Sequence, residues 1–128
     1  MDVSIIIPTY NVAPYIIECL ESVATQTYQG VIECIVVDDC GTDESIPLAQ
    51  EFIDSYNGNI KFRICHREKN GGLSAARNSG LFEAKGEFVY FLDSDDYITS
   101  DCIESLVKVA KLFPNVEIVK YGETYNLE

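Results

Sequence analysis

Phe88-Val89-Tyr90-Phe91-Leu92-Asp93-Ser94-Asp95-Asp96 runs from an apolar segment into three carboxylates within four positions. The apolar part reads as a buried strand, and the acids fall at its carboxyl end. Like charges gathered in a partly desolvated place repel one another. A hard divalent cation relieves that cost, because carboxylate oxygens suit magnesium, manganese or calcium. The competing reading is a solvated acidic turn, with Ser94 or Asp96 capping a short helix. Asp96 has the strongest structural case of the three.

The preceding chain explains why a strand is expected there. Val3–Ile7 is a β-branched run stopped by Pro8, the pattern of a strand buried on both faces. Ile16, Ile17, Leu20, Val23 and Ala24 recur at helical spacing, which predicts a helix over about residues 13–26, with Pro14 in its first turn. Ile32–Val37 is a second buried strand ending in Asp38-Asp39. Thr42 or Asp43 can cap a helix carrying Ile46, Leu48, Ala49, Phe52 and Ile53. Ile60–Ile64 alternates as a half-exposed edge strand does. Asn70-Gly71-Gly72 is a loop before a helix over Leu73–Ala84, which Lys85-Gly86 ends. Phe88–Leu92 is the fourth strand, residues 100–112 a helix stopped by Pro114, and Val116–Tyr121 a fifth strand.

Strands alternating with helices imply a parallel sheet covered on both faces. Such sheets bind ligands beyond the carboxyl ends of their strands. Three polar signals fall there: Pro8-Thr9-Tyr10-Asn11, Asp38-Asp39 and Asp93-Ser94-Asp95-Asp96. Pro8–Asn11 taken alone is a common turn. Asp38-Asp39 can accept from a ribose or a base N–H, or can cap the next helix. Their convergence on one crevice is the stronger observation. Gly71 and Gly72 permit close backbone approach, the following helix N-terminus favours an anion, and Arg77 adds a permanent cation. The same segment also reads as tight packing of Ala75 and Ala76, with Arg77 paired to an acid. His66, Arg67 and Lys69 read as a solvated basic patch.

The length of 128 residues fits one domain, and 47% hydrophobic residues suffice for a core. With 21 acids against 9 bases the formal charge is −12, which argues against nucleic acid or a membrane surface bound through bulk charge. Five cysteines without zinc-ligand spacing predict reduced, mostly buried thiols and a cytosolic setting. The first residues show no basic segment leading an apolar run, so no signal peptide is expected. No apolar stretch has the roughly 18 residues of a membrane span. No Lys-Ser/Thr follows the glycines as in a P-loop, and no Gly-x-Gly-x-x-Gly follows the first strand. One histidine supports no Ser/His/Asp set.

These segments, in this order, resemble the inverting family 2 glycosyltransferases of the GT-A fold. Val3–Asn11 is similar to that family's opening strand and nucleotide loop, and Ile35–Asp39 with Thr42-Asp43 to its second motif. Asn70-Gly71-Gly72 through Arg77-Asn78-Ser79-Gly80 is similar to the third, and Gly86-Glu87 through Phe91–Asp96 to the metal motif. The likeness spans essentially the whole chain. It implies a single α/β domain over residues 1–128, a three-layer αβα Rossmann-like nucleotide-binding domain with a mainly parallel sheet, cut before the acceptor half of a longer protein. It implies that Asp39 reads the nucleobase beside Pro8, Thr9, Tyr10 and Asn11, and that Arg77 lies near the nucleotide. Asp93 and Asp95 would hold Mn2+ or Mg2+ and the donor's ribose-diphosphate, with Asp95 the better direct ligand. The donor would be a nucleoside diphosphate sugar, by family default a UDP-sugar. The acceptor would be a saccharide or lipid-linked saccharide of cell-envelope polysaccharide synthesis, handled in the cytoplasm at the inner face of the membrane.

The transferase would be of the hexosyltransferase type, with no general base among these residues and little activity from this chain alone. Where the family usually has Gly-Ser, this chain has Cys40-Gly41. A positive φ there would strain Cys40 unless Gly41 takes the turn. A non-catalytic nucleotide- or protein-binding domain retaining the fold is the alternative, and a homodimer through a bared apolar face stays open. A nucleotidyltransferase would want a basic Gly-rich loop after the first strand. A phosphoacceptor receiver would want its acids on that strand, which has none.

Overall fold

The computed structural model describes residues 1–114 and the backbone of Ile118–Lys120 and Glu123–Tyr125. Its elements are β1 (Val3–Thr9), α1 (Ile16–Ala24), β2 (Ile32–Asp38), α2 (Ser45–Ser55), β3 (Lys61–His66), α3 (Leu73–Glu83), β4 (Phe88–Phe91), α4 (Cys102–Leu112), β5 (Ile118–Lys120) and β6 (Glu123–Tyr125). The first four strands form one parallel sheet in the order β3-β2-β1-β4. β3 is an edge, as its alternation predicts. The expected fifth strand does not join this sheet. Within Val116–Tyr121, Ile118–Lys120 pairs antiparallel with β6, which the sequence reading lacks; Val116 and Tyr121 lie outside the described residues. The three-residue strand is the next element after α4 in the chain, and it finds its partner in the three-residue strand that follows it.

Pro8 lies inside β1 and does not stop it. The N–H of Leu92 donates to the carbonyl of Ile6 (2.9 Å), so Ile6 faces β4. By strand alternation Pro8 turns its missing donor to the same side, past the last β1–β4 pair, Ile6 with Phe91. No ladder bond is lost there.

The alternation also divides the core. Val3, Ile5 and Ile7 of β1 and Ile32, Cys34 and Val36 of β2 meet α1, α2 and α4 through Ile16, Leu20, Ala49 and Ile103. On the other face Ile6, Ile35 and Val37 cluster with Ala76 of α3, and Cys65 and Ala84 pack against them. That second cluster is small because α3 lies very close: a Cβ on Gly80 would stand 2.4 Å from Cγ2 of Ile6 and 3.0 Å from Cγ2 of Val37. Ser4 and Glu33 share this face, both buried. Glu33 accepts from the Ser4 hydroxyl (2.5 Å), the Lys85 N–H (2.7 Å) and Arg63 Nη1 (2.9 Å). All five cysteines are free thiols, with Cys19, Cys34 and Cys102 buried.

Two stability predictions arise from the α3 face. Gly80→Ala gains about 1 kcal/mol of helix propensity but forces a methyl into Ile6 at a cost of about 1–3 kcal/mol, for a net loss of up to about 2 kcal/mol in urea unfolding. Burial alone would raise the Glu33 pKa, but the bonds from Ser4, Lys85 and Arg63 hold it below its ordinary value. A carboxylate lowered on folding stabilises fully above its unfolded pKa of about 4.3, and that stability is lost as pH falls through the lower folded value. Between about pH 5 and 2 the wild type therefore loses stability more steeply than Glu33→Gln, measured by urea midpoints along a pH series.

Candidate functional site

Strand order turns around at β1, which has β2 on one side and β4 on the other. Beyond the carboxyl ends of these strands lies a cleft of ≈ 490 Å³, within the usual range for a small-molecule site. Pro8, Thr9 and Tyr10 from the end of β1, Asp39 after β2, and Asp93 and Asp95 after β4 all line it. The sequence-predicted residues thus converge, except Asn11 and Arg77, which are not in the lining.

Asn11 is committed elsewhere. Its side-chain oxygen accepts the N–H of Thr42 (2.7 Å) and of Asp43 (3.3 Å), tying the loop after β1 to the loop after β2. It adopts φ 52° to do so. Cys40 adopts φ 61°, so the strained position falls on the cysteine and not on Gly41. Gly41 is required for a different reason: a Cβ there would stand 2.8 Å from the Asn11 side-chain oxygen. Neither Thr42 nor Asp43 is the N-cap of α2, which is Glu44 without a side-chain cap bond; Asp43, one residue earlier, accepts from the Ser45 N–H (2.9 Å) and the Ala13 N–H (3.0 Å). Asp38 also serves the loop, accepting from the Cys40 N–H (3.0 Å) and lying 2.8 Å from His66 Nδ1.

Asp39 forms the floor of the cleft and is only 2% exposed. Arg67 Nη1 reaches its Oδ1 at 2.6 Å. The Gly71 N–H donates to Oδ1 and the Gly72 N–H to Oδ2, both at 3.0 Å. Burial pushes its carboxyl pKa up, but these bonds and the guanidinium outweigh burial and hold it below the ordinary carboxylate value. The Gly-Gly pair explains itself here. Gly72 takes φ 87° before α3, and a Cβ on Gly71 would stand 2.5 Å from Arg67 Nη1. Arg67 is therefore not part of a solvated patch; it is the counter-ion of a buried acid. The sequence signal that could have found it is register: Asp38 pairs with His66 across β2 and β3, so the next residue of each strand lies together.

Across the cleft Asp93 and Asp95 flank buried Ser94. The Asp93 carbonyl accepts from the buried Cys19 thiol (3.8 Å), whose pKa is pushed up to about 12 by burial and the neighbouring Asp96, Asp95 and Asp93. Arg77 meets the site only through Asp93, Nη2 to Oδ1 at 3.3 Å, with its guanidinium 5.7 Å from the Phe91 ring centre. Asp96 turns away, accepting from the Tyr97 N–H, as a structural residue does. Among the described residues no cluster of three or more His, Cys, Asp or Glu could enclose a metal. Two open carboxylates nevertheless suit an ion that keeps water ligands and takes phosphate oxygens, as magnesium-type ions do. Asn70, Gly72, Leu73 and Ala76 of the Gly-Gly segment and Val12, which carries no chemical signature in the sequence, complete the lining.

A family model, glycosyl transferase family 2, matches residues 4–122. The glycosyltransferase GlyA of Streptococcus pneumoniae is 45% identical over 107 residues, which is 83% of this chain and 14% of GlyA. The S. aureus TarS fragment 1–349 in complex with UDP superposes with a TM-score of 0.80 at 35% identity, over 91% of this chain and 34% of that one. The mannosyltransferase PcManGT of Pyrobaculum calidifontis, in complex with GDP-Man and Mn2+, gives a TM-score of 0.78 at 29% identity, over 84% of this chain and 32% of that one. The chain thus spans between 14% and 34% of the length of these three chains. Matched over nearly its whole length, it belongs to glycosyl transferase family 2.

Proposed function

We propose that this chain holds the donor of a sugar transfer, a nucleoside diphosphate sugar with a divalent ion, and that the whole protein moves the sugar to an acceptor hydroxyl with inversion. The observation that carries the reading is the meeting of Asp39, Asp93 and Asp95 in one cleft at the turning point of the sheet. Asp39 uses about three of its four acceptor positions on Arg67, Gly71 and Gly72. The remaining one, on Oδ2, accepts an N–H from the base, which suits the N3–H of uracil. Pro8, Thr9 and Tyr10 form the wall beside the base and ribose.

Asp93 and Asp95 hold Mg2+ or Mn2+ with the diphosphate. The ion supplies Lewis-acid neutralisation of the leaving diphosphate. Arg77 lies beside Asp93, Nη2 to Oδ1 at 3.3 Å, at the edge of the site. No carboxylate of the lining is left for the base that deprotonates the acceptor: the open position of Asp39 meets the nucleobase, and Asp93 and Asp95 face the diphosphate. This supports a base outside residues 1–128. TarS is a poly(ribitol-phosphate) β-N-acetylglucosaminyltransferase of S. aureus. This supports a hexosyl donor and a cell-envelope polymer as acceptor; transfer at the cytoplasmic side of the membrane is part of the proposal.

Two outcomes test this. Calorimetry should show UDP binding at least about tenfold tighter with Mn2+ than with chelator, and Asp95→Ala should abolish the difference. Equal wild-type affinity in both conditions refutes the clamp. With UDP-GlcNAc and Mn2+, UDP release by residues 1–128 should stay at background; sustained turnover places the base inside this chain.

A further inference from the structure

We propose that Arg67 is the positioning residue of the base-reading carboxylate: its guanidinium, wedged between Asp39 and Ser79, fixes the Asp39 side chain so that Oδ2 presents an acceptor to the cleft. The inference rests on the reading of the cleft as a nucleotide site. Three donors of Arg67 are accounted for. Nη1 reaches Asp39 Oδ1 (2.6 Å) and the Lys69 carbonyl (3.0 Å), and Nε donates to Ser79 Oγ (3.0 Å). The side chain is 19% exposed, so the pair sits largely out of water. Ser79 belongs to α3 and Lys69 to the loop before it, so a rigid helix fixes the guanidinium and the guanidinium fixes the acid. Rotation of Asp39 would break the Arg67 contact and both glycine N–H bonds together.

Few other charges face Asp39. Asp38 precedes it and is turned to His66 of β3 and to the Cys40 N–H. Lys69 offers its carbonyl to Arg67. Asp93 and Asp95 form the far wall, with Arg77 of α3 on Asp93. Arg67 is thus the cation in contact with Asp39. Burial favours the neutral acid, and without Arg67 only two backbone N–H groups oppose it. A neutral Asp39 carries an O–H, which donates where the carboxylate accepts. Uracil offers N3–H to an acceptor, whereas cytosine offers a bare N3 to a donor. The protonation state of Asp39 therefore decides which base the cleft prefers.

The test is calorimetric titration of the chain with UDP and with CDP, each with Mn2+, at pH 7.5 and at about pH 5. The two nucleotides share a diphosphate, so its own titration cancels in their ratio, and protonation of His66 is common to wild type and variants. Wild type should favour UDP by at least about tenfold at both pH values. Arg67→Met should keep a reduced preference at pH 7.5 and lose it at about pH 5, and Arg67→Lys, which restores a cation, should regain it there. An Arg67→Met protein that discriminates as wild type does at both pH values overturns the proposal and leaves the nucleotide reading intact. A lysine variant as pH-sensitive as the methionine variant also overturns it. Wild type without preference for UDP overturns both. If Arg67→Met does not fold, a carbon-13 titration of the wild-type Asp39 carboxyl decides: a midpoint well below about 3.9 supports the role, and one at or above it refutes it.

Discussion

Helix α3 hangs on two buried carboxylates of one strand. Glu33, near the start of β2, takes the N–H of Lys85 just past the end of α3, and Asp39, just past the end of β2, takes the N–H groups of Gly71 and Gly72 just before its start. Each acid also draws an arginine from the β3 side, Arg63 at one end and Arg67 at the other. The apolar contact between α3 and the sheet is only a handful of residues, with Ala76 and Gly80 at the closest approach. A helix with so small a greasy stripe gains little from burial, so the polar anchors at its ends set its position. Either acid left without its donors would be an uncompensated charge in the interior, and each has three donors: Ser4, Lys85 and Arg63 on Glu33, and Arg67, Gly71 and Gly72 on Asp39.

The cleft inherits its shape from those anchors. Asp39 and Gly72 form its floor while Leu73 and Ala76 of α3 form one side, so what fixes α3 also fixes the distance from the β2 side to the acids after β4. β1 passes through the middle, and its polar exit at Thr9 and Tyr10 opens between them. The α1 side contributes through the Cys19 thiol on the Asp93 carbonyl, a contact from a helix on the opposite face of the sheet.

Much of this was legible in the sequence because it depends on alternation and on chain order. Continuous apolar runs in β1 and β2 gave buried strands, helical spacing gave α1 and α2, and the position of Asp39, Asp93 and Asp95 after strands gave the cleft. What escaped depends on contacts between segments far apart in the chain. Arg67 looks like one of three basic surface residues until β3 is carried two residues beyond Ile64; then register places it beside Asp39. Asn11 looks like a ligand residue because it follows a strand, yet its amide is used to join two loops. The fate of Ile118–Lys120 turned on which strand it would pair with, and a three-residue apolar segment carries no information about its partner. Cys40 was the reverse case, a local departure from a glycine whose consequence, a positive φ, could be stated in advance and is present.

The charge balance of the cleft gives the division of labour among its acids a physical basis. A nucleoside diphosphate is an anion, and this chain is already at −12. Asp39 can sit beside such a ligand because Arg67 neutralises it; the pair presents an acceptor atom without net charge. Asp93 and Asp95 have no equivalent. Arg77 meets Asp93 alone, at 3.3 Å, with both side chains well exposed to water, where such a pair is worth little. Two carboxylates left in this condition oppose a diphosphate unless a cation stands between them. On the proposed reading the same residue type would perform opposite tasks on the two walls: where an arginine is built in, the acid would read a neutral base, and where none is close enough, the acids would need a metal before the phosphates approach.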